Sequence, residues 1–105
     1  MAGGGVSAWL YVLECGDGSF YTGWTNRLEK RLLAHEKGLG GKYTRSRLPV
    51  RLVAAWKKRS EKEARSAEVY FKQLSRGEKM ERVRRASKKI LPTRVRARVG
   101  KRSAT

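Results

Sequence analysis

The sequence predicts an α/β (α+β) domain: a small three-stranded antiparallel sheet flanked by helices. Three observations lead there. Two apolar, aromatic and β-branched runs, Ala8 to Cys15 and Ser19 to Gly23, flank the turn-forming Gly16-Asp17-Gly18 and read as a hairpin. A third such run, about Val50 to Trp56, follows Pro49. The remaining segments open on capping signals and carry apolar residues at 3.6-residue spacing, as helices do.

The hairpin's turn length decides what its strands present. With Gly18 in the left-handed position of a three-residue loop, Cys15 pairs with Ser19 and Tyr11 with Gly23. Cross-strand partners share a face and side chains alternate along a strand, so Tyr11 and Tyr21 then point the same way. A two-residue loop would place them on opposite faces.

A helix follows, with Asn26 as expected N-cap and Glu29 three residues on. Leu28, Leu32 and His35 form one stripe, Arg31 lies on its flank, and Gly38 ends the helix. Gly40 to Arg47 reads as a polar, basic loop. Ser60 and Glu63 then open a second helix, whose core stripe is Ala64, Ala67, Phe71 and Leu74. Ser75 and Glu78 open a third, carrying Met80, Val83 and Ile90 and ending before Pro92. The expected organisation is a leader over 1–7, one domain over 8–91 and a basic tail over 92–105.

One hundred and five residues hold one domain. The formal net charge is +17, which argues against an ordinary metabolic enzyme and for an anionic partner. The charge is uneven. Residues 1–81 carry 16 Lys and Arg and all 9 acids, whereas residues 82–105 carry 10 Lys and Arg and no acid. Such a segment repels itself unless an anion is present, and nucleic acid gains affinity through counterion release. A membrane surface would want more large apolar residues than this segment has. The longest apolar run, Val6 to Leu13, is too short to span a bilayer. A single cysteine, Cys15, suits a reducing interior and a cytoplasmic location. The expected partner is nucleic acid, DNA ahead of RNA, bound by a monomer or weak dimer.

Glu68 lies on the apolar stripe of its helix. A carboxylate there is either paired with one of the many arginines or bound to a hard divalent cation. Arg31 and His35 stand one helical turn apart and point together. Arg31 is either a surface cation or a phosphate ligand. His35, the only histidine, is either a satisfied partly buried ring or part of a site. Two tyrosines facing one way are either packing or chemistry.

Taken together, these residues resemble a known pattern. Trp9-Leu10-Tyr11 and, ten residues after Tyr11, Tyr21-Thr22-Gly23 are similar to the two short motifs that name the GIY-YIG nuclease superfamily. Arg31 stands eight residues after Gly23, His35 four further on, and Glu68 in the next long helix, as in that family. Cys15 to Ser19, Tyr43 to Val50 and Lys72 to Arg76 resemble the small stand-alone bacterial members. The first motif departs from the pattern in Trp9 and Leu10, and the second in Thr22. The asparagine that many of these nucleases carry late in the domain has no counterpart, since the single asparagine is Asn26.

The resemblance implies an endonuclease that hydrolyses DNA with little sequence preference and is structure-selective in repair or recombination. It implies one Mg²⁺ or Mn²⁺ ion held by Glu68. Tyr11, or a metal-bound water acting with it, would activate the attacking water, Arg31 would stabilise the transition state, and Tyr21 and His35 would orient phosphate or relay protons. Arg27, Lys42, Arg45, Arg47, Lys72, Arg84, Arg85, Lys88 and Lys89 are the expected nucleic-acid contacts. If six phosphates are engaged, a fourfold rise in salt should weaken binding by on the order of 10³-fold. The competing reading is a non-catalytic DNA- or RNA-binding protein that retains the fold.

Overall fold

The computed structural model describes residues 7–89, with side chains described through residue 87. Strand β1 (Ala8–Glu14) is the centre of one three-stranded sheet, with β2 (Phe20–Thr25) and β3 (Arg51–Lys58) antiparallel on either side. The expected leader and tail, Ser7 apart, lie outside the described residues, as does Ile90.

The hairpin has the predicted register, with Tyr11 opposite Gly23. Gly18 has φ of 86°, a conformation costly to residues with a Cβ. The Cys15 amide donates to the Ser19 carbonyl at 2.9 Å and closes the loop. Asp17 stiffens it by accepting from the Ser19 amide and hydroxyl, at 3.0 and 2.6 Å.

Between β1 and β3 the register slips: Val12 faces Ala54, but Leu13 faces Leu52. Val53 is the extra residue of a bulge. Its effect is visible in the packing. Val53 and Ala54, neighbours in sequence, both join one apolar cluster, while Leu52 and Ala55 join the other. An unbroken strand would send positions 52 and 55 to opposite faces.

Each face has its own cover. Leu10, Val12, Val53 and Ala54 pack with Phe71 of α3 (Glu61–Lys72) and with Val83 and Ala86 of α4 (Arg76–Lys89). Tyr11, Leu13, Cys15, Val50, Leu52 and Ala55 lie on the other face, under Leu28 and Leu32 of α1 (Leu28–Glu36). The α4 start behaves as read, while at α3 half of the expected box forms, because the Glu63 carboxylate accepts from the Arg59 amide at 3.2 Å rather than from that of Ser60. The Ser60 hydroxyl accepts from the Glu63 amide at 3.1 Å. Ser75 and Glu78 exchange two bonds, at 2.9 and 3.2 Å, as a complete capping box.

Three local expectations are corrected. Asn26 does not cap α1. β2 runs to Thr25, the cap position falls to Arg27, and the Asn26 amide instead donates to Glu61 of α3. The Arg27 amide is satisfied by the Thr25 hydroxyl at 3.0 Å. The segment read as a loop contains a one-turn helix, α2 (Lys42–Arg45), closed by the Arg45 amide on the Gly41 carbonyl at 3.0 Å. Met80 is half exposed, because α4 turns Val83, Ala86 and Ser87 to the sheet, with the Ser87 hydroxyl on the Val53 carbonyl at 2.6 Å.

Candidate functional site

Tyr11 is fully buried in the middle of the central strand, and its side chain crosses the adjacent Gly23. A Cβ at Gly23 would lie 2.7 Å from the phenol oxygen, so only glycine leaves room for this ring. The ring therefore meets α1. The phenol oxygen is 2.9 Å from His35 Nε2 and accepts a longer bond, 3.4 Å, from Arg31 Nε. One helical turn separates those two partners, as their spacing required.

His35 is also fully buried. Its Nδ1 lies 2.9 Å from the hydroxyl of Thr44, itself buried, and that hydroxyl donates to the Gly41 carbonyl at 3.5 Å. The directions of these bonds assign the tautomer. With the Thr44 hydrogen on Gly41, the Thr44 oxygen accepts from Nδ1–H. Nε2 then carries a lone pair and accepts the Tyr11 hydrogen. The chain runs Tyr11, His35, Thr44, Gly41 with every donor matched. Gly40 lies flat against the imidazole, where a Cβ would come within 2.1 Å of Nδ1.

Tyr21 completes the wall. Its ring centroid lies 6.3 Å from Tyr11, 5.2 Å from His35 and 5.9 Å from Tyr43. The shared face predicted for Tyr11 and Tyr21 is what brings them together.

Burial pushes the Tyr11 hydroxyl up to about 12. The Arg31 hydrogen bond opposes that rise, and the neighbouring Tyr21 and the Glu68 carboxylate add to it. Burial, helped by the Arg31 charge, pushes His35 down to about 4. At neutral pH both groups are uncharged, with the phenol as donor and the imidazole as acceptor. Arg31 is raised chiefly by its bond to Tyr11.

Glu68 reaches this site from α3, and its charge acts on the Tyr11 hydroxyl. Its side chain is 19% exposed and its Oε2 is 3.0 Å from Lys72 Nζ, one turn along. The partner is thus a lysine on the same helix rather than one of the expected arginines. Among the described residues no three His, Cys, Asp or Glu side chains gather as a metal cage. A hard divalent cation can take one carboxylate and fill its shell with water and substrate oxygens. Glu68, a partly exposed oxygen donor whose charge is felt at the Tyr11 phenol, fits that demand.

The expected nucleic-acid contacts divide. Arg27 lines a cleft of about 320 Å³ with Lys30, Arg31, Thr25, Asn26 and Ala34. Lys42 and Arg45 are exposed on α2. Arg47 is held by Asp17 at 3.1 Å and stacks over Tyr43 at 3.9 Å. Lys72 is held by Glu68, and Arg84 and Arg85 both by Glu81. The Arg84 and Arg85 pairs belong to α4, on the far side of the sheet from α1. The side chains of Lys88 and Lys89 lie outside the described residues. Thr44, Lys30 and Gly40 were missed as members of the site. Thr44 was legible only as one residue in a basic run, because its role depends on which ring it meets.

Residues 7–81 match the GIY-YIG catalytic domain. A UPF0213 protein of Clostridium perfringens is 51% identical over 73 residues, covering 70% of this chain and 78% of that protein. A UPF0213 protein of Bacillus licheniformis is 55% identical over 73 residues, covering 70% and 75%. The solution NMR structure of a UPF0213 protein from Bacillus halodurans is 47% identical, covers 73% of this chain and 82% of that one, and has a TM-score of 0.49. No helix among the described residues is long and apolar enough to cross a membrane. A catalytic domain of this kind implies a nucleic-acid substrate. The chain therefore belongs to the GIY-YIG family and carries its nuclease fold.

Proposed function

We propose that this protein is a metal-dependent endonuclease that hydrolyses DNA phosphodiester bonds with little sequence preference, with structure-selective cutting in repair or recombination as its setting. The observation that carries the reading is the hydrogen-bonded chain from Tyr11 through His35 to Thr44, flanked by the Arg31 guanidinium and the Glu68 carboxylate. A satisfied buried network can also serve to specify the core, and the guanidinium and carboxylate acting on its phenol are what favour chemistry here.

Tyr11 takes a proton from the attacking water while its own hydrogen passes to His35 Nε2. The water oxygen bonds to phosphorus, the bond to the leaving oxygen breaks, and that oxygen takes up a proton from solvent, while His35 returns its proton through Tyr11 to solvent before the next turnover. The two groups stand at about 12 and about 4. The raised Tyr11 hydroxyl and the lowered His35 both oppose a separate transfer in the resting site, so the proton moves together with attack on phosphorus. Arg31 stabilises the negative charge that builds on the phosphoryl oxygens. Tyr21 packs on both rings of the relay and holds them in line. Glu68 would hold one Mg²⁺ or Mn²⁺, whose Lewis acidity stabilises phosphate and leaving-group charge. Arg27, Lys42 and Arg45 would contact flanking phosphates.

The test is nicking of plasmid, flap, junction and single-stranded substrates with Mg²⁺ or Mn²⁺. Glu68→Ala is expected to abolish cutting while largely retaining DNA binding in EDTA. If wild type cuts none of these substrates with either ion, the fold serves nucleic-acid binding alone.

A further inference from the structure

The first motif of this chain begins with a tryptophan, and the relay makes no use of it. Trp9 lies two residues before Tyr11 on β1 and on the same face, about 7 Å along the strand. It packs against the Tyr11 cluster but is only partly buried. Its ring borders a cleft of about 550 Å³, together with Arg27, Leu28, Glu29 and Lys30. This cleft is an open groove on the surface rather than an enclosed pocket. Arg27 and Lys30 also line the 320 Å³ cleft that contains Arg31. The two clefts thus meet along a basic ridge, with an indole at one end and the guanidinium that touches Tyr11 at the other. Lys57, opposite Trp9 on β3, is exposed and adds a further cation to the rim.

From this arrangement, and resting on the nuclease reading above, we infer that Trp9, Arg27 and Lys30 form a subsite for the nucleotide next to the scissile phosphate, with its base unpaired and stacked on Trp9. Arg27 and Lys30 bind that nucleotide's phosphate, which Arg31 then separates from the reacting one. Glu29 stands at the rim as an acceptor for an exocyclic base amine. The distance from Trp9 to Tyr11 matches the backbone repeat of one extended nucleotide. A base inside a duplex has both faces covered by its neighbours, so only an unpaired base can present a face to the indole. The substrate class follows: single strands, frayed ends and branch points, in preference to continuous duplex.

The subsite is tested without metal, using the full chain in EDTA, so that its failure is separate from failure of catalysis. Three probes of equal length serve: an oligo-dT strand, an abasic strand with the same phosphates, and a continuous duplex. Wild type is expected to bind oligo-dT about 5- to 150-fold more tightly than the abasic strand, the worth of one stacked base. Trp9→Ala is expected to remove that discrimination, and Trp9→Phe to retain part of it, with circular dichroism checking that each variant is folded. The wild-type comparison needs no substitution and so stands even if Trp9→Ala does not fold. In single strands carrying 2-aminopurine, fluorescence should be quenched by wild type and not by Trp9→Ala. Equal wild-type affinity for oligo-dT and abasic strands would overturn the subsite, as would a folded Trp9→Ala that still discriminates. Base discrimination that depends on Trp9 in a protein that nicks nothing would support the stacking site and overturn the nuclease reading instead.

Discussion

The two faces of the sheet are built from the same three strands and hold opposite kinds of interior. Under α3 and α4 the buried groups are Leu10, Val12, Val53, Ala54, Phe71, Val83 and Ala86, all apolar. Under α1 and α2 the buried set includes a phenol, an imidazole and a threonine hydroxyl, joined in one hydrogen-bonded line. A buried polar group costs stability unless it is paired, and pairing three in series demands that a strand, a helix and a short turn all be correctly placed. The apolar face pulls the fold together. The polar face spends some of that stability on geometry, and geometry is what a reaction needs.

The comparison can be broken from either side. The largest expected effect is on the apolar face: Phe71→Ala should lower unfolding stability by about 3–5 kcal/mol, read by denaturant titration. The slope of stability against pH should be unaltered. On the polar face, Arg31→Ala should cost about 10²- to 10³-fold in the rate of the chemical step under single-turnover conditions, about 2.7–4 kcal/mol. An unchanged rate would remove Arg31 from the reaction.

The acid limb distinguishes the faces more sharply. His35 titrates near 6.5 when unfolded and near 4 when folded. Between those values the unfolded chain binds a proton that the folded chain refuses, so stability falls as pH drops from about 6.5 through about 4. The full loss is about 3 kcal/mol, since a tenfold difference in proton affinity between the two states is worth about 1.4 kcal/mol. His35→Gln should flatten that limb, and a chemical-denaturation series from pH 7 to pH 4 would show whether it does. The smallest effect is expected at Thr44→Val, which leaves the Nδ1–H of His35 without an acceptor. It should cost about 1–3 kcal/mol of stability. It should also lower the rate at saturating substrate more than it raises KM, and Thr44→Ser should restore most of the rate. Restoration by serine marks a role in orienting His35 rather than in filling space.

The features readable in advance were those governed by near neighbours in the chain. A three-residue turn with glycine in the left-handed position sets the register of β1 and β2, and alternation then puts Tyr11 and Tyr21 on one face. The Ser60 and Ser75 caps, the four-residue spacing of Arg31 and His35, and the placement of Glu68 on the stripe with Phe71 follow from helical geometry alone. The misreadings arose where a distant group intervened. Asn26 is a good cap in isolation, but Glu61 claims its amide across 35 positions. The basic segment around Thr44 looks like a loop until His35 draws that threonine inward. The pairing of Lys72 with Glu68 one turn away was likewise not anticipated, and it leaves the expected phosphate contact of Lys72 a proposal.

Short-range chemistry in the sequence therefore determined the strands, the turn and two of the helix caps, because each depends on contacts within a few positions, whereas the candidate reacting residues were marked by the family resemblance. Only the tertiary structure decided the Val53 bulge that sorts β3 between the two faces, the tautomer of His35, and the joining of the Trp9 and Arg31 clefts through Arg27 and Lys30. Each of these depends on which atoms meet across elements far apart in the chain, and local periodicity carries no information about such meetings.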